Sequence, residues 1–539
     1  DSSELLAFSD KITGSGTIRQ TGSGMTQLTG DSSHFAGTTY VESGVLSVNG
    51  KLGGTVDVGS GARLQGNGDI GNVIVRGTMA PGNSIGTINV GGDLSFESGS
   101  VYQVEANAAG EADLIRVAGT AMINGGAVEV LAADGEYSPQ TSYTILTADG
   151  GVTGTFNPDV NTDLAFLDGA LSYDASNVYL TLTRNNLTFD GIGTTPNQIA
   201  VGAGTESLKY GNAVFNAVLG LNADQARDAF DQLAGEIHAS ARAGLLEDTQ
   251  YLRSAVWDRL RSAEGKHGGW VRAYGAWAEL DGDGNAAGLD SSGVGTVIGS
   301  DAALGEHARA GLTLGYAKTD YDVDARRSSA SVDTLQIGAY AGGEWGPVQL
   351  RTGIAYAWSS VETSRSIVLP NFEDSAQADY DSNSLQVFGE LAYRLDLGQS
   401  HIEPFANIAY VHVTGDAFVE KGGEAALAVD MDASNVTFTT LGMRGDAHFN
   451  LGKTTASLRG GIGWRHGFGD IKAMTSMTYV SGGDSFATSG IGVAGDAVTL
   501  EAGLDVALGK SAGLGLFYGG QLGGSQTRHS VGARLSLEF

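Results

Sequence analysis

The last nine residues, Val531-Gly532-Ala533-Arg534-Leu535-Ser536-Leu537-Glu538-Phe539, alternate without a slip. Side chains point to opposite faces of a strand, so Val531, Ala533, Leu535, Leu537 and Phe539 share one face, and Arg534, Ser536 and Glu538 the other. The same alternation recurs upstream. Leu335, Ile337, Ala339 and Ala341 oppose Gln336 and Tyr340; Leu385, Val387, Leu391, Tyr393 and Leu395 oppose Gln386, Glu390 and Arg394. Val498, Leu500, Ala502, Leu504, Val506 and Leu508 oppose Thr499, Glu501 and Asp505. Ordinary strands run about five or six residues. These runs pass ten, enough to cross a bilayer at a tilt of about 40°.

One apolar face and one charged face imply a closed barrel with lipid outside and water inside. Turn spacing predicts twelve strands in residues 268–539, starting near Trp270, Gly293, Ala308, Ser331, Val348, Ala378, Ile402, Leu427, Thr455, Phe486, Ala512 and Arg528. The terminal strand is expected to close the barrel. Trp270, Trp277, Tyr316, Trp345 and Trp358 suit an interfacial aromatic girdle, and ordinary packing is the alternative.

Immediately upstream the period changes. Ala226, Phe230, Leu233, Ile237, Ala241, Leu245, Leu252, Val256 and Leu260 recur mostly at three and four residues. That spacing predicts an amphipathic helix within residues 223–267, about 60 Å long if straight, with Gly235 and Gly244 as points of division. Asn222 and Gln225 form a capping box, and Arg253, Arg259 and Arg261 suit the C-terminal end of the helix dipole. These arginines are expected to meet acidic lumen residues such as Glu390, Glu501 and Asp505. Residues 186–222 read as a linker, polar from Asp190 to Gly204, with a short helix near Leu208 to Leu219.

Residues 1–185 are short alternating segments punctuated by glycine, such as Gly44-Val45-Leu46-Ser47-Val48-Asn49-Gly50 and Gly71-Asn72-Val73-Ile74-Val75-Arg76-Gly77. One strand per 10–20 residues is the pattern of stacked rungs in a parallel β-helix, with a sandwich as the competing reading. The expected fold is therefore all-β with one helical linker: a parallel β-helix stem, then a twelve-stranded antiparallel transmembrane barrel with a pore helix.

Composition supports this. The 539 residues include 83 Gly and no Cys, which excludes disulfides, thiolate metal sites and Cys nucleophiles. With 31 Lys plus Arg against 61 Asp plus Glu the net charge is −30, which repels nucleic acid. The chain starts at Asp1 without a signal segment and is expected to be a mature or excised C-terminal piece.

Several of these residues resemble one family. Ala229-Phe230-Asp231-Gln232-Leu233-Ala234-Gly235-Glu236-Ile237-His238-Ala239-Ser240, then Trp270-Val271-Arg272-Ala273-Tyr274-Gly275 and terminal Phe539, resemble the translocator end of monomeric autotransporters of type V secretion. Thr78-Met79-Ala80-Pro81-Gly82-Asn83-Ser84-Ile85-Gly86-Thr87 resembles their passenger-associated repeat. The resemblance implies an outer-membrane barrel of a Gram-negative bacterium, with residues 80–185 as an autochaperone-like segment at the cell surface. It also implies an assembly signal on Val531, Leu535, Leu537 and Phe539, read by the barrel assembly machinery. Outer-membrane lipid and periplasmic chaperones are the other expected partners, with a host surface ligand as an open candidate. The chain is expected to be a monomer.

Tempting chemistry has blander readings. Gly82-Asn83-Ser84-Ile85-Gly86 matches a nucleophile elbow, which needs a strand-to-helix turn, but strands flank it. Gly66-Asn67-Gly68-Asp69-Ile70-Gly71 matches a dinucleotide fingerprint without the following helix. Asp281-Gly282-Asp283-Gly284-Asn285 lacks the later ligands of a calcium loop. Gly483-Asp484-Ser485-Phe486 resembles an esterase nucleophile block without a partner Asp-x-x-His. Arg444-Gly445-Asp446 is an adhesive tripeptide whose strand puts Arg444, Asp446 and His448 in the lumen. The nine His are scattered in sequence, and Asn185-Asn186 lacks the surroundings expected of an autocleavage site. No catalytic residue, cofactor or metal is expected. The expected function is export and display of the chain's own N-terminal passenger, driven by passenger folding. The alternative is the C-terminal part of a surface enzyme (a subtilisin-like protease or an esterase) or of an adhesin, with its active passenger upstream.

Overall fold

The computed structural model describes residues 5–539 apart from 264, 399, 453 and 510, so the first four residues of the expected stem lie outside it. The chain divides into two compact units. One holds Asp1–Ile192, Lys209–Arg227 and Leu369–Phe372; the other holds Gly193–Leu208, Asp228–Val368 and Glu373–Phe539.

The first unit is built from parallel ladders. Leu46 stacks on Leu64, Leu64 on Met79, Met79 on Tyr102 and Tyr102 on Val128. A second ladder runs Val41, Val58, Val75, Phe96, Ile123. A third runs Ile70, Val90, Val117, Ala148. All these side chains are buried. Period-2 residues in parallel register give each rung an apolar inner face that its neighbours cover, as in a β-helix. The ladders end antiparallel, with Asn177–Arg184 between Gln140–Ala148 and Leu167–Tyr173.

Glycine is required where rungs turn. Gly82 has φ +92°, and a Cβ there would lie 1.8 Å from the Ser84 carbonyl oxygen. The turn therefore depends on the absent side chain. It joins the strands Thr78–Pro81 and Thr87–Val90. Asn83 donates to Asn49 Oδ1 at 2.9 Å, and the N–H of Gly86 donates to Asp113 Oδ1 at 2.8 Å.

The segment read as a linker is partly helical. Helix α1 spans Pro196–Ser207, with the Thr195 hydroxyl accepting from the N–H of Gln198. Helix α2 is Ala213–Leu219, and α3 is Ala223–Leu233, across the division between the units. Asn222 Oδ1 accepts from the N–H groups of Asp224 and Gln225, and Gln225 Oε1 accepts from that of Asn222.

The expected single 40-residue helix is divided. Gly235, at φ 58°, breaks it between α3 and α4 (Glu236–Asp248). A Cβ at Gly235 would lie 2.6 Å from the sulfur of Met477. Helix α5 is Gln250–Ser262. Thr249, at the junction, keeps helical torsions (φ −56°, ψ −21°), so α4 and α5 continue one another over about 40 Å. Gly244 does not divide α4; a Cβ there would lie 2.4 Å from the Tyr321 ring, so the glycine allows close packing.

The barrel has twelve antiparallel strands: β1 His267–Leu280, β2 Leu289–Leu304, β3 Ala308–Val323, β4 Ser328–Trp345, β5 Val348–Leu369, β6 Phe372–Tyr393, β7 Ser400–Gly415, β8 Ser434–Leu451, β9 Thr454–Gly469, β10 Asp496–Ala507, β11 Ala512–Gly523 and β12 Gln526–Glu538. β12 pairs with β1 from Gly268↔Glu538 to Leu280↔Gln526, which closes the cylinder. Two expected starts were misplaced. Leu427 and Phe486 belong to a separate four-stranded sheet of Phe418–Val419, Leu427–Asp430, Met474–Tyr479 and Gly482–Ser489. The eighth and tenth barrel strands begin instead at Ser434 and Asp496. A half-buried insertion strand has the same period as a wall strand, so periodicity alone does not separate them.

Exposed apolar residues mark the lipid face: Leu312, Ile337, Ile354, Leu391, Leu441, Ile462 and Leu516. Trp277, Tyr316, Trp345 and Trp358 are exposed with them. Trp270 is not; it is buried inside, donating from Nε1 to the Tyr340 hydroxyl at 2.8 Å.

Asp113 gives the stem a pH dependence. Burial pushes its carboxyl up to about 7, although the N–H groups of Gly86 and Glu105 pull the other way. The folded state therefore holds a proton that the unfolded chain releases near 3.8. The associated stability is fully present below 3.8 and is lost as pH rises to about 7. We predict that the stem resists protease in urea better at pH 5 than at pH 8, and that Asp113→Asn removes most of this difference. A difference that survives the substitution would assign it to other groups.

Candidate functional site

The site is the barrel lumen with α4 and α5 inside it. The two helices carry eight charged side chains: Glu236, Arg242, Glu247, Asp248, Arg253, Asp258, Arg259 and Arg261. An unpaired charge costs several kcal/mol when buried, so each needs a partner.

At the end where α4 starts, the N–H of Ala287 and Arg326 Nε donate to the Glu236 carboxylate at 2.7 and 3.1 Å. His238 Nε2 lies 2.8 Å from Glu420 Oε1. Glu420 also accepts two bonds from Arg365, at 2.8 and 2.7 Å, and one from the N–H of Leu427 at 2.9 Å. Arg242 donates to the carbonyls of Asp432 and Met474. Thr488 and Ile491 add bonds to Ala234 O and Ser240 Oγ. Long connections between strands therefore hold this end.

Midway, Arg465 forks onto Glu247 at 2.8 and 3.0 Å and stacks over Phe438 at 3.8 Å. Asp248 accepts from Tyr321 and Arg528, both at 2.8 Å. Bidentate guanidinium–carboxylate pairs fix orientation as well as charge. At the other end Asp258 pairs with Arg272, Arg261 and Arg459. The apolar stripe of α5, with Leu252, Ala255 and Val256, packs on Trp270, Tyr274, Val297 and Phe388 of the wall.

The three expected pore-helix arginines take different partners. Arg261 meets Glu501 at 3.3 Å, besides Asp258. Arg259 goes instead to Asp301, at 2.7 and 2.8 Å, and to Glu538 at 2.6 Å. Arg253 donates to the neutral Gln386 and Thr249, at 2.9 and 2.7 Å. Glu390 is held by Arg351 and Arg444, and Asp505 by Arg459 and Arg534. Asp301, missed in the sequence, and Glu538, placed by alternation on the polar face but not matched to the helix, lie on lumen faces of β2 and β12. Alternation gives such residues their face, but not the depth that α5 reaches.

In the terminal strand, Val531, Leu535, Leu537 and Phe539 are exposed on the lipid face. Phe539 exchanges backbone hydrogen bonds with His267, and the rings stack 6.5 Å apart. Arg444 is buried in its carboxylate cluster, away from any external receptor. Asp283 accepts from Lys472 and from the N–H of Ala286, as a turn residue does. Ser84 lies between two strands with no helix following, unlike a nucleophile elbow.

The family model for the autotransporter beta-domain matches residues 269–519. An extracellular serine protease of Serratia marcescens is 32% identical over 99% of this chain and 57% of its own length. A second extracellular serine protease of that organism is 30% identical with the same coverage. The chain thus spans a little over half the length of these relatives. The esterase EstA of Pseudomonas aeruginosa is 23% identical over 53% of this chain and 44% of its own. The translocator domain of autotransporter NalP from Neisseria meningitidis aligns with 56% of this chain and 99% of its own, at 16% identity and TM-score 0.47.

Arg259→Glu would place a third carboxylate beside Asp301 and Glu538. We predict a cost of about 3–5 kcal/mol to the plugged state and a clear rise in ion conductance in planar bilayers. Conductance equal to that of the unaltered barrel would mean that α5 does not obstruct the pore.

Proposed function

We propose, for a chain that belongs to the autotransporters by its β-domain, that the barrel carries its own N-terminal passenger across the outer membrane and keeps α4–α5 as the pore's plug. The observation that carries this reading is the direction of the helix. Its N-terminal end is held by the long strand connections, through Ala287 on Glu236, Glu420 on His238 and Thr488 on the carbonyl of Ala234, and its C-terminal end by Asp301 and Glu538 near the short turns. In outer-membrane barrels the long connections face outward and the short turns face the periplasm. The chain before α4 therefore leaves the lumen on the outside.

The energy source is folding of the exported chain. Each rung that stacks buries apolar side chains such as Leu64, Val75 and Val117. Burial is worth about 25 cal/mol per Å². A folded rung is wider than an extended chain, so each one formed outside opposes return. Residues 80–185 act first in this scheme, because the antiparallel end gives the next rung a template. The exposed alternation of β12 supports recognition by the barrel assembly machinery, with periplasmic chaperones guarding the unfolded chain before insertion. A monomer suffices, since β12 closes on β1 within one chain.

A second reading concerns what is exported. Two relatives bear the name extracellular serine protease, and this chain spans 57% of their length. A protease-type catalytic passenger upstream of these residues is consistent with that. Within residues 5–539 no catalytic group is assigned.

Protease shaving of intact expressing cells tests the export reading, with antibodies against residues near 130 and against the barrel. We predict that the stem is digested while the barrel stays protected in the outer-membrane fraction. A stem that yields only after the outer membrane is opened would be periplasmic, and the reading would fail.

A further inference from the structure

Three side chains outside the plug contacts converge at the short-turn end of the lumen. Ser400 opens β7 and Leu451 ends β8, and the register pairs His401 with Asp446. His448 lies two residues past Asp446 and so on the same face. One donor atom from each of His401, Asp446 and His448 falls within 4.8 Å of the others. His401 Nδ1 is 2.5 Å from Asp446 Oδ1, and His448 Nε2 is 3.4 Å from Asp446 Oδ2.

Asp446 Oδ1 is buried yet accepts no well-directed hydrogen bond, despite its closeness to the imidazole. A buried carboxylate oxygen normally has a donor. A carboxylate that meets one ring nitrogen on each oxygen, with Oδ1 left without a donor, is better matched to a shared cation. The neighbouring guanidinium groups are committed elsewhere. Arg459, opposite Asp446 on β9, pairs with Asp505 and Asp258, and Arg394 donates to Asp396 at 2.9 Å. The three residues line a cavity of about 490 Å³ beside α5, so water has room to complete a coordination shell.

We propose that His401, Asp446 and His448 form a divalent transition-metal site at the periplasmic mouth of the lumen. Two neutral imidazoles and one carboxylate suit Zn²⁺ and ions like it, at about 2.0–2.2 Å per ligand after small rotations of the side chains. Water fills the remaining positions; the three protein ligands replace water on the hydrated ion, and any proton on a ligating ring nitrogen passes to solvent. The ion would tie β7 to β8 next to the plug. This goes beyond export and does not depend on what the passenger is.

The test uses the whole chain without an affinity tag, folded in detergent and stripped with a chelator. Calorimetry with Zn²⁺ and the visible absorption of Co²⁺ read the site directly. One ion per chain is expected. His401→Ala and His448→Ala should each weaken binding at least about tenfold, the loss that even outer-shell partners cause. The double variant should lose the site and its Co²⁺ spectrum, while heat-modifiable gel mobility shows the barrel intact. His412→Ala and His466→Ala, on other parts of the wall, should change nothing. The proposal is overturned if the unaltered chain takes up no Zn²⁺, so that His401 and Asp446 are only an ion pair. It is also overturned if the double variant binds as the parent does.

Discussion

Four carboxylates and four arginines enter the barrel on a single helical rod, and the rest of the second unit is arranged around matching them. A helix satisfies its own backbone, so filling a pore costs nothing there. Its side chains are another matter, because a charge removed from water must find an opposite charge or several dipoles. The wall supplies Arg465, Arg528 and Arg272 for the acids, with Arg326 from the link between β3 and β4, and Asp301, Glu538 and Glu501 for the arginines. Arg242 and Arg253 are met by carbonyls, an amide and a hydroxyl instead. Such pairs add little net stability over apolar packing, but they strongly disfavour any other depth or rotation of the helix.

That requirement explains why charged and polar residues line so much of the inside of the wall, beside the apolar contacts of Trp270, Val297 and Phe388, while lipid takes the outside. It also explains the close approaches. Gly244 brings the helix against Tyr321, whose hydroxyl then reaches Asp248. Gly235 lets the chain turn at the start of α4 in a left-handed conformation that few other residues adopt. The four-stranded sheet inserted between wall strands meets both α1 and α4. Tyr479 bonds Thr205, and Thr488 bonds the carbonyl just before α4.

The stem follows a different constraint. Its rungs repeat one local solution, apolar inward and glycine at corners, and each is stabilised only by the rung beside it. Stability therefore grows as rungs are added, which is what a process driven by stepwise folding needs.

Alternation in runs such as Val531 to Phe539 is a local property, so the barrel, its strand number and the lipid face were legible in the residues alone. So were the stem's period-2 rungs and the capping box at Asn222 and Gln225. The Thr195-Pro196-Asn197-Gln198 start of α1 was equally local; there the polar composition of residues 190–204 outweighed a capping signal that was present. Other features were not local. Leu427 and Phe486 alternate as wall strands do, and only pairing partners show that they belong to another sheet. Whether Arg259 meets Asp301 or Asp505 depends on how deep the helix sits and how it is rotated, which no spacing encodes. His401 and His448 are 47 residues apart and share a site only because the register sets β7 beside β8. Periodicity and turn chemistry act over a few residues and were set by the sequence; pairing across the lumen is a sum of many weak constraints that only the folded barrel resolves.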